Sequence, residues 1–200
     1  MALTVSIIGR GQHADRRAAV VADRSDTVLH RRAPAPDPAT GNPLDDALFD
    51  ASDVLFVTGP TAVHFRLAEA ALKRGVHVFL EWPPATSLPE AEAMVDLAEE
   101  SGSEVGVSRP LRFHPAVEAL PEDGRTTLIV LRQEVDGVTP AFWPPRCADA
   151  IDLCCTLARS HSVQRIDAEA VPQSAAWPEA MAFALRFHNG TYAQISLYRC

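Results

Sequence analysis

Cysteine is scarce in this chain, and the four present, Cys147, Cys154, Cys155 and Cys200, form no C-x-x-C pair and have no histidine at zinc-like spacing. A disulfide framework and a structural metal are therefore not expected, and a reducing cytoplasm suits the composition. Long apolar runs are also missing, since none approaches the roughly 20 residues of a membrane span. The first residues, Met1-Ala-Leu-Thr-Val-Ser-Ile-Ile-Gly, carry no basic region and enter a strand directly, unlike a signal peptide. Positive charge is in deficit. A formal net charge of −8 excludes nucleic acid as a default partner. What is present is ordinary for a globular protein, with 47% hydrophobic and 22% charged residues. Two hundred residues suit one large domain or two small ones.

The most organised stretch is residues 53–84. Its apolar run 54–57 ends at Thr58-Gly59-Pro60 and predicts a buried strand. Residues 61–74 hold no Gly or Pro and place Val63, Leu67, Ala70 and Ala71 at helical spacing, and Gly75 stands where a left-handed cap is wanted. A second apolar run, 76–80, completes a strand–helix–strand unit with parallel strands. Ligands of such sheets bind beyond the carboxyl ends of the strands. Thr58, Gly59, Pro60, Glu81 and Trp82 are thereby candidate site residues.

An apolar strand over 3–8 runs straight into Gly9-Arg10-Gly11-Gln12-His13-Ala14, followed by a predicted helix over 15–23. This is the dinucleotide fingerprint in its required context. Gly9 permits the tight turn, Gly11 lets the backbone approach a pyrophosphate, and Ala14 allows close helix–strand packing. Gln12 and His13 stand at the helix start, whose amides would hold phosphate. A short second strand, 27–31, ends at Arg31-Arg32 where an NAD-binding chain would offer a carboxylate. Two guanidinium groups suit the 2′-phosphate of NADP, so NADP is expected ahead of NAD, the alternatives being a solvated basic loop or erosion of a site that no longer binds a cofactor. Residues 33–43 read as a loop and 44–49 as a short amphipathic helix.

Thr58-Gly-Pro-Thr-Ala-Val-His64, a helix, then Gly75-Val-His-Val-Phe-Leu-Glu-Trp-Pro83 resembles the glucose–fructose oxidoreductase / inositol dehydrogenase (Gfo/Idh/MocA) family. The likeness continues in Arg112-Phe113-His114-Pro115 and in Ile151-Asp152-Leu153. It implies a Rossmann-type doubly wound parallel sheet, the α/β class, followed by a smaller, truncated α+β sheet domain. The boundary is expected near residue 121, giving a dinucleotide-binding domain over 1–121 and a dimerising C-terminal domain over 122–200. The resemblance also places His64 near the cofactor, while a packing role for His64 stands beside that reading. Two family positions differ. The family's catalytic Lys is Trp82 here, and the histidine that commonly assists proton transfer is Asp149.

The remaining elements are read from pattern. Ser87-Leu-Pro-Glu90 is a capping box before an apolar stripe, Ala91, Met94, Val95 and Ala98, closed by Gly102. Strands are expected over 104–108 and 126–133, a loop over 138–145 and a helix over 149–158, with Asp149 at the surface or as its N-cap. Asn189-Gly190 predicts a two-residue type I′ hairpin turn. That register sets Phe187 opposite Tyr192 and Phe183 opposite Ser196. One hairpin face would then carry Met181, Phe183, Leu185, Phe187, Tyr192 and Tyr198. The helix is expected to cover the opposite, alanine-rich face, leaving the aromatic one as a homodimer interface.

Two functions fit these residues. One is an NAD(P)-dependent oxidoreductase acting on a small alcohol, carbonyl or imine, with Glu81, Asp149 and His114 as candidate acids. The other is a non-catalytic descendant that binds a nucleotide or a protein partner, with Trp82 stacking on a flat ligand.

Overall fold

Leu3–Ile8 (β1) lies inside a five-stranded parallel sheet of order β2-β1-β3-β4-β5 in the computed structural model. The structure describes residues 2–39, 46–121, 124–135, 143–171 and 178–199. They divide into two compact units, Met1–Ser108 and Arg109–Cys200. The segment 109–121 groups with the second unit.

In the first unit, Thr27–Ala33 (β2), Val54–Val57 (β3), His77–Leu80 (β4) and Val105–Val107 (β5) complete the sheet. Val5 and Ile7 pack with Ala14, Ala18 and Val21 of Gln12–Asp23 (α1). Ile8, Leu55, Val57 and Leu80 share a second cluster with Leu67, Ala68, Ala71 and Leu72 of His64–Leu72 (α2) and with Met94 of Leu88–Ser101 (α3). The sheet is thus covered on both faces, as parallel strands require. The α1 start lies three residues before the expected one, because the fingerprint turn passes directly into the helix. Residues 61–74 are not one helix: Thr61–Val63 forms a 3-10 turn before α2 begins. Within the expected helix 44–49 a 3-10 turn occupies Asp46–Leu48, and 44–45 lie outside the described residues. Ser87 caps α3 by accepting from the Glu90 amide, but the Glu90 carboxylate turns to the amide and hydroxyl of Thr86.

The second unit is a mixed four-stranded sheet of order β6-β9-β8-β7, formed by Leu128–Val135 (β6), Val163–Val171 (β7), Ala180–Phe187 (β8) and Tyr192–Arg199 (β9). A short helix, Pro115–Glu118 (α4), precedes it, and Trp143–Ala158 (α5) packs on one face. Strand β7 was not foreseen. Its Arg165, Asp167 and Glu169 alternate with Ile166 and Ala168 on an exposed edge, which blurs any apolar pattern.

The hairpin register differs from the expected one by a single residue. The Phe187 amide donates to the Thr191 carbonyl at 2.9 Å, and the Gly190 amide to the Phe187 carbonyl at 3.0 Å. The loop therefore holds His188, Asn189 and Gly190, with Gly190 at φ 89, the three-residue form with a left-handed glycine. Asn189 selects it. Its Nδ2 donates to the Ala158 carbonyl at the end of α5, and its Oδ1 accepts from the Thr191 amide. Phe183 now pairs with Ile195 and Leu185 with Ala193. A one-residue slip moves every side chain of one strand to the other face. Phe183, Leu185, Phe187, Ala193, Ile195 and Leu197 are all buried, packed with Trp143, Ala150, Cys154 and Ala158 of α5. Tyr192 and Tyr198 lie on the opposite, open face with Ala182 and Ala184. Of the face expected to stay bare for a dimer, Met181, Phe183, Leu185 and Phe187 are thus covered, while Tyr192 and Tyr198 stay open as expected. Trp143–Pro145, expected in a loop, opens α5, and the rest of that loop, with Phe142, lies outside the described residues.

Candidate functional site

The strand order reverses between β1 and β3, so the carboxyl ends of those strands diverge into the crevice where doubly wound sheets bind ligands. Gly9 fills the bottom of it. Its amide donates to the Ala33 carbonyl, its φ is 136, and an added Cβ would stand 2.1 Å from Thr58 Oγ1 and 2.9 Å from the Thr58 carbonyl carbon. Thr58 is fixed in turn by donating its amide to the Ile8 carbonyl. Gly11 is the opposite case. At φ 81 and ψ −169 it holds a conformation open essentially to glycine, yet no described residue lies within 4 Å of where its Cβ would be. The open space beside Gly11 and the free first-turn amides of α1, begun by Gln12 and His13, fit a diphosphate.

A cleft of about 380 Å³ opens at these strand ends, lined by Arg10, Pro34, Ala35, Thr58, Gly59 and Pro60. Its wall is close-packed, since a Cβ on Gly59 would meet the Ala35 methyl at 2.6 Å. Arg31 and Arg32 are exposed on β2 and do not line this cleft. Arg32 Nη2 donates to Asp15 Oδ1 at 2.6 Å.

Glu81 follows β4, and its Oε1 accepts from both Nε (3.0 Å) and Nη2 (2.9 Å) of Arg17 on α1. Arg17 also donates to Ser108 Oγ and lies over the Phe79 ring, 5.1 Å from its centre. The exposed His13 imidazole stands 3.9 Å from the same carboxylate oxygen. Glu81 is thus a tethered carboxylate, not a free acid. Trp82 is half-buried and joined to Pro83 by a cis bond. His64 is buried, with Nδ1 2.9 Å from the Pro83 carbonyl and Nε2 2.9 Å from the Gly59 carbonyl. A neutral imidazole has one N–H and so donates to one of the two. The packing reading of His64 therefore has a concrete form: it clamps the loop after β3 to the loop after β4.

The second unit holds the other candidates. Asp149 lies in the second turn of α5, not at its start as its expected N-cap role required, and accepts from Arg109 Nη1 at 3.1 Å. One turn on, Asp152 accepts from Arg112 through both oxygens. Burial pushes the Asp149 carboxyl above the ordinary range, despite the nearby charges of Arg109 and Arg146. Burial pushes Asp152 the same way, but the Arg112 hydrogen bonds and the charges of Arg109 and Arg112 outweigh it and hold the group low. His114 has a structural part: its Nδ1 accepts from the Ala116 amide and caps α4. Cys154 is fully buried and its thiol is pushed up to about 12, which leaves it inert. Among the described residues no cluster of His, Cys, Asp and Glu could hold a metal, and no helix is long and apolar enough to cross a membrane.

The first unit therefore brings together Gly9, Gly11, Gln12, His13, Thr58, Gly59, Pro60, His64, Glu81 and Trp82 at its strand ends, while Asp149 belongs to the second. Sequence reasoning missed Arg10, Arg17 and Arg109. For Arg17 a signal existed: it stands four residues after His13, on the same face of α1. For Arg109 none did, because its partner is 40 residues away.

Residues 4–109 match the Gfo/Idh/MocA family, described as an oxidoreductase family with an NAD-binding Rossmann fold. The UDP-N-acetylglucosamine 3-dehydrogenase of Acidithiobacillus ferrooxidans is 30% identical over 167 residues, which are 78% of this chain and 52% of that one. A D-xylose 1-dehydrogenase (NADP(+)) of Haloferax volcanii is 31% identical over 119 residues, 58% of this chain and 37% of that one. The chain thus spans about half the length of the first relative. The solved structure of the Acidithiobacillus dehydrogenase superposes with a TM-score of 0.82 at 20% identity, over 99% of this chain and 70% of that one.

Proposed function

The chain belongs to the Gfo/Idh/MocA oxidoreductase family, and from that premise we propose that it is an NAD(P)-dependent oxidoreductase of a small alcohol, carbonyl or imine. The observation that carries this reading is the open space at Gly11 beside a fingerprint turn locked onto Thr58. The diphosphate would lie on the amides of residues 11–13, and the nicotinamide supplies hydride chemistry when bound. Prearranged amides and tethered side chains are what the protein contributes. Arg17 holds Glu81 in one orientation, and His64 holds the two loops that frame it. Asp149 is the second unit's candidate acid. The environments of Asp149 and Asp152 push the two carboxyls apart, the pattern that separates a proton donor from a permanent anion. The names of the relatives favour sugar-like alcohols as substrates.

A second reading, a non-catalytic nucleotide binder, is favoured by Trp82 at the family's lysine position and by the tethered Glu81. A panel of sugars, polyols and imines with NADP or NADPH, followed by nicotinamide absorbance, separates the two. Turnover of any compound above a blank supports the enzyme. Dinucleotide binding with no turnover anywhere supports the second reading, and no binding at all removes both.

We also propose a homodimer, built on the open face of the second sheet. That face carries Leu128, Val130, Tyr192 and Tyr198, all exposed, alongside Arg132, Glu134, Asp167 and Arg186, and a mixed-charge apolar surface of this kind can pair with itself about a two-fold axis. Light scattering should give twice 21.6 kDa, and Val130→Glu should return it to the monomer.

A further inference from the structure

We propose that Arg10 is the residue that selects a 2′-phosphorylated adenine dinucleotide, a role the sequence alone assigned to Arg31 or Arg32. The inference rests on the dinucleotide reading above and concerns only which phosphate the cleft takes. Its first support is position. Arg10 stands between Gly9 and Gly11, at the carboxyl end of β1, and its side chain is the single charged group among the described residues that line the cleft. Pro34 and Ala35 form the wall that follows β2, where a chain selecting NAD needs a carboxylate to accept from the ribose hydroxyls. Neither side chain can accept a hydrogen bond, so no carboxylate is there for the hydroxyls of an unmodified ribose. A 2′-phosphate would instead meet a guanidinium.

The second support is availability. Arg32 is already held by Asp15 at 2.6 Å. The Arg10 side chain is exposed, and no hydrogen bond or ion pair ties it to another described residue. A guanidinium with no competing carboxylate keeps its fork for the bidentate phosphate geometry it matches best. Gly59, pressed against Ala35, keeps the cleft wall opposite Arg10 free of any further side chain.

Fluorescence titration of the whole chain with NADPH and NADH, repeated with adenosine 2′,5′-bisphosphate and 5′-AMP, tests this. Arg10→Gln should weaken NADPH and the bisphosphate about 10- to 100-fold, the range of a lost charge-assisted hydrogen bond. NADH and 5′-AMP should change less than about twofold. Arg10→Lys, which keeps the charge and loses the fork, should fall between. Arg32→Gln should leave all four within about twofold. Equal weakening of NADPH and NADH by Arg10→Gln would make Arg10 a diphosphate contact and overturn the selection. No effect at Arg10 with a loss at Arg32 would return the role to Arg32. If the unaltered chain binds neither dinucleotide, the parent reading fails instead, which the wild-type titration reveals before any variant is made.

Discussion

In the first unit every strand runs the same way, so every strand's carboxyl end opens at one edge, and the loops carrying Gly9, Thr58 and Glu81 meet there whatever their separation in sequence. In the second unit strands run both ways and the side-chain faces decide what is built, so the outcome hangs on one turn. The first arrangement tolerates small errors of element length. The second does not, because Asn189 shifts the pairing by one residue and thereby exchanges the buried and open faces of β8 relative to those of β9.

The sharpest way to break this contrast is in the second core. Phe187→Ala should cost about 3–5 kcal/mol, as large core truncations do, because Phe187 is 1% exposed beneath α5. Tyr192→Ala, on the open face, should cost less than about 1 kcal/mol. Urea unfolding of both variants measures the difference. Similar losses at the two positions would mean that they share a face, as the two-residue turn requires.

In the first unit the comparable lesion is smaller and comes from backbone. Gly9→Ala should cost about 2–4 kcal/mol, because its Cβ collides with Thr58 and its φ is positive. Thermal unfolding should show the loss, with Thr58→Ala partly restoring stability by removing the Oγ1 collision and leaving the carbonyl one.

Asp149 and Asp152 sharpen the comparison within one helix. Asp152 is held low when folded, so its stabilisation is present above about pH 4 and is lost as pH falls through its lowered value. Asp149 is raised, so the folded chain keeps that proton longer; its contribution is full at lower pH and fades as pH rises through the raised value. At pH 7, Asp152→Asn should therefore cost about 1–3 kcal/mol by leaving Arg112 without its carboxylate. Asp149→Asn should cost less than about 1 kcal/mol, or stabilise slightly. Urea midpoints between pH 3 and pH 8 check both signs.

How much of this was legible follows from the same contrast. The fingerprint, the strands β1, β3 and β4 and the caps at Gly75 and Gly102 were readable because each depends on neighbours within a few residues. The site's glycines and the Thr58-Gly59-Pro60 turn were readable for the same reason. Arg17 on Glu81 and Arg109 on Asp149 were not, since these pairs span 64 and 40 residues and any of several arginines could have served. The hairpin was read as a hairpin but given the wrong loop length, because the deciding contact, Asn189 to the end of α5, lies 31 residues back. Strand β7 escaped because an edge strand needs no apolar face of its own.

The claim on which the account turns is that the strand ends of the first unit form a dinucleotide site, with Gly11 kept bare for the diphosphate. Isothermal titration of NADPH into the wild-type chain and into Gly11→Val tests it most directly. The account predicts saturable binding of one dinucleotide per chain, no measurable heat from Gly11→Val, and a circular dichroism spectrum shared by the two proteins. Undiminished binding by a folded Gly11→Val protein would contradict it.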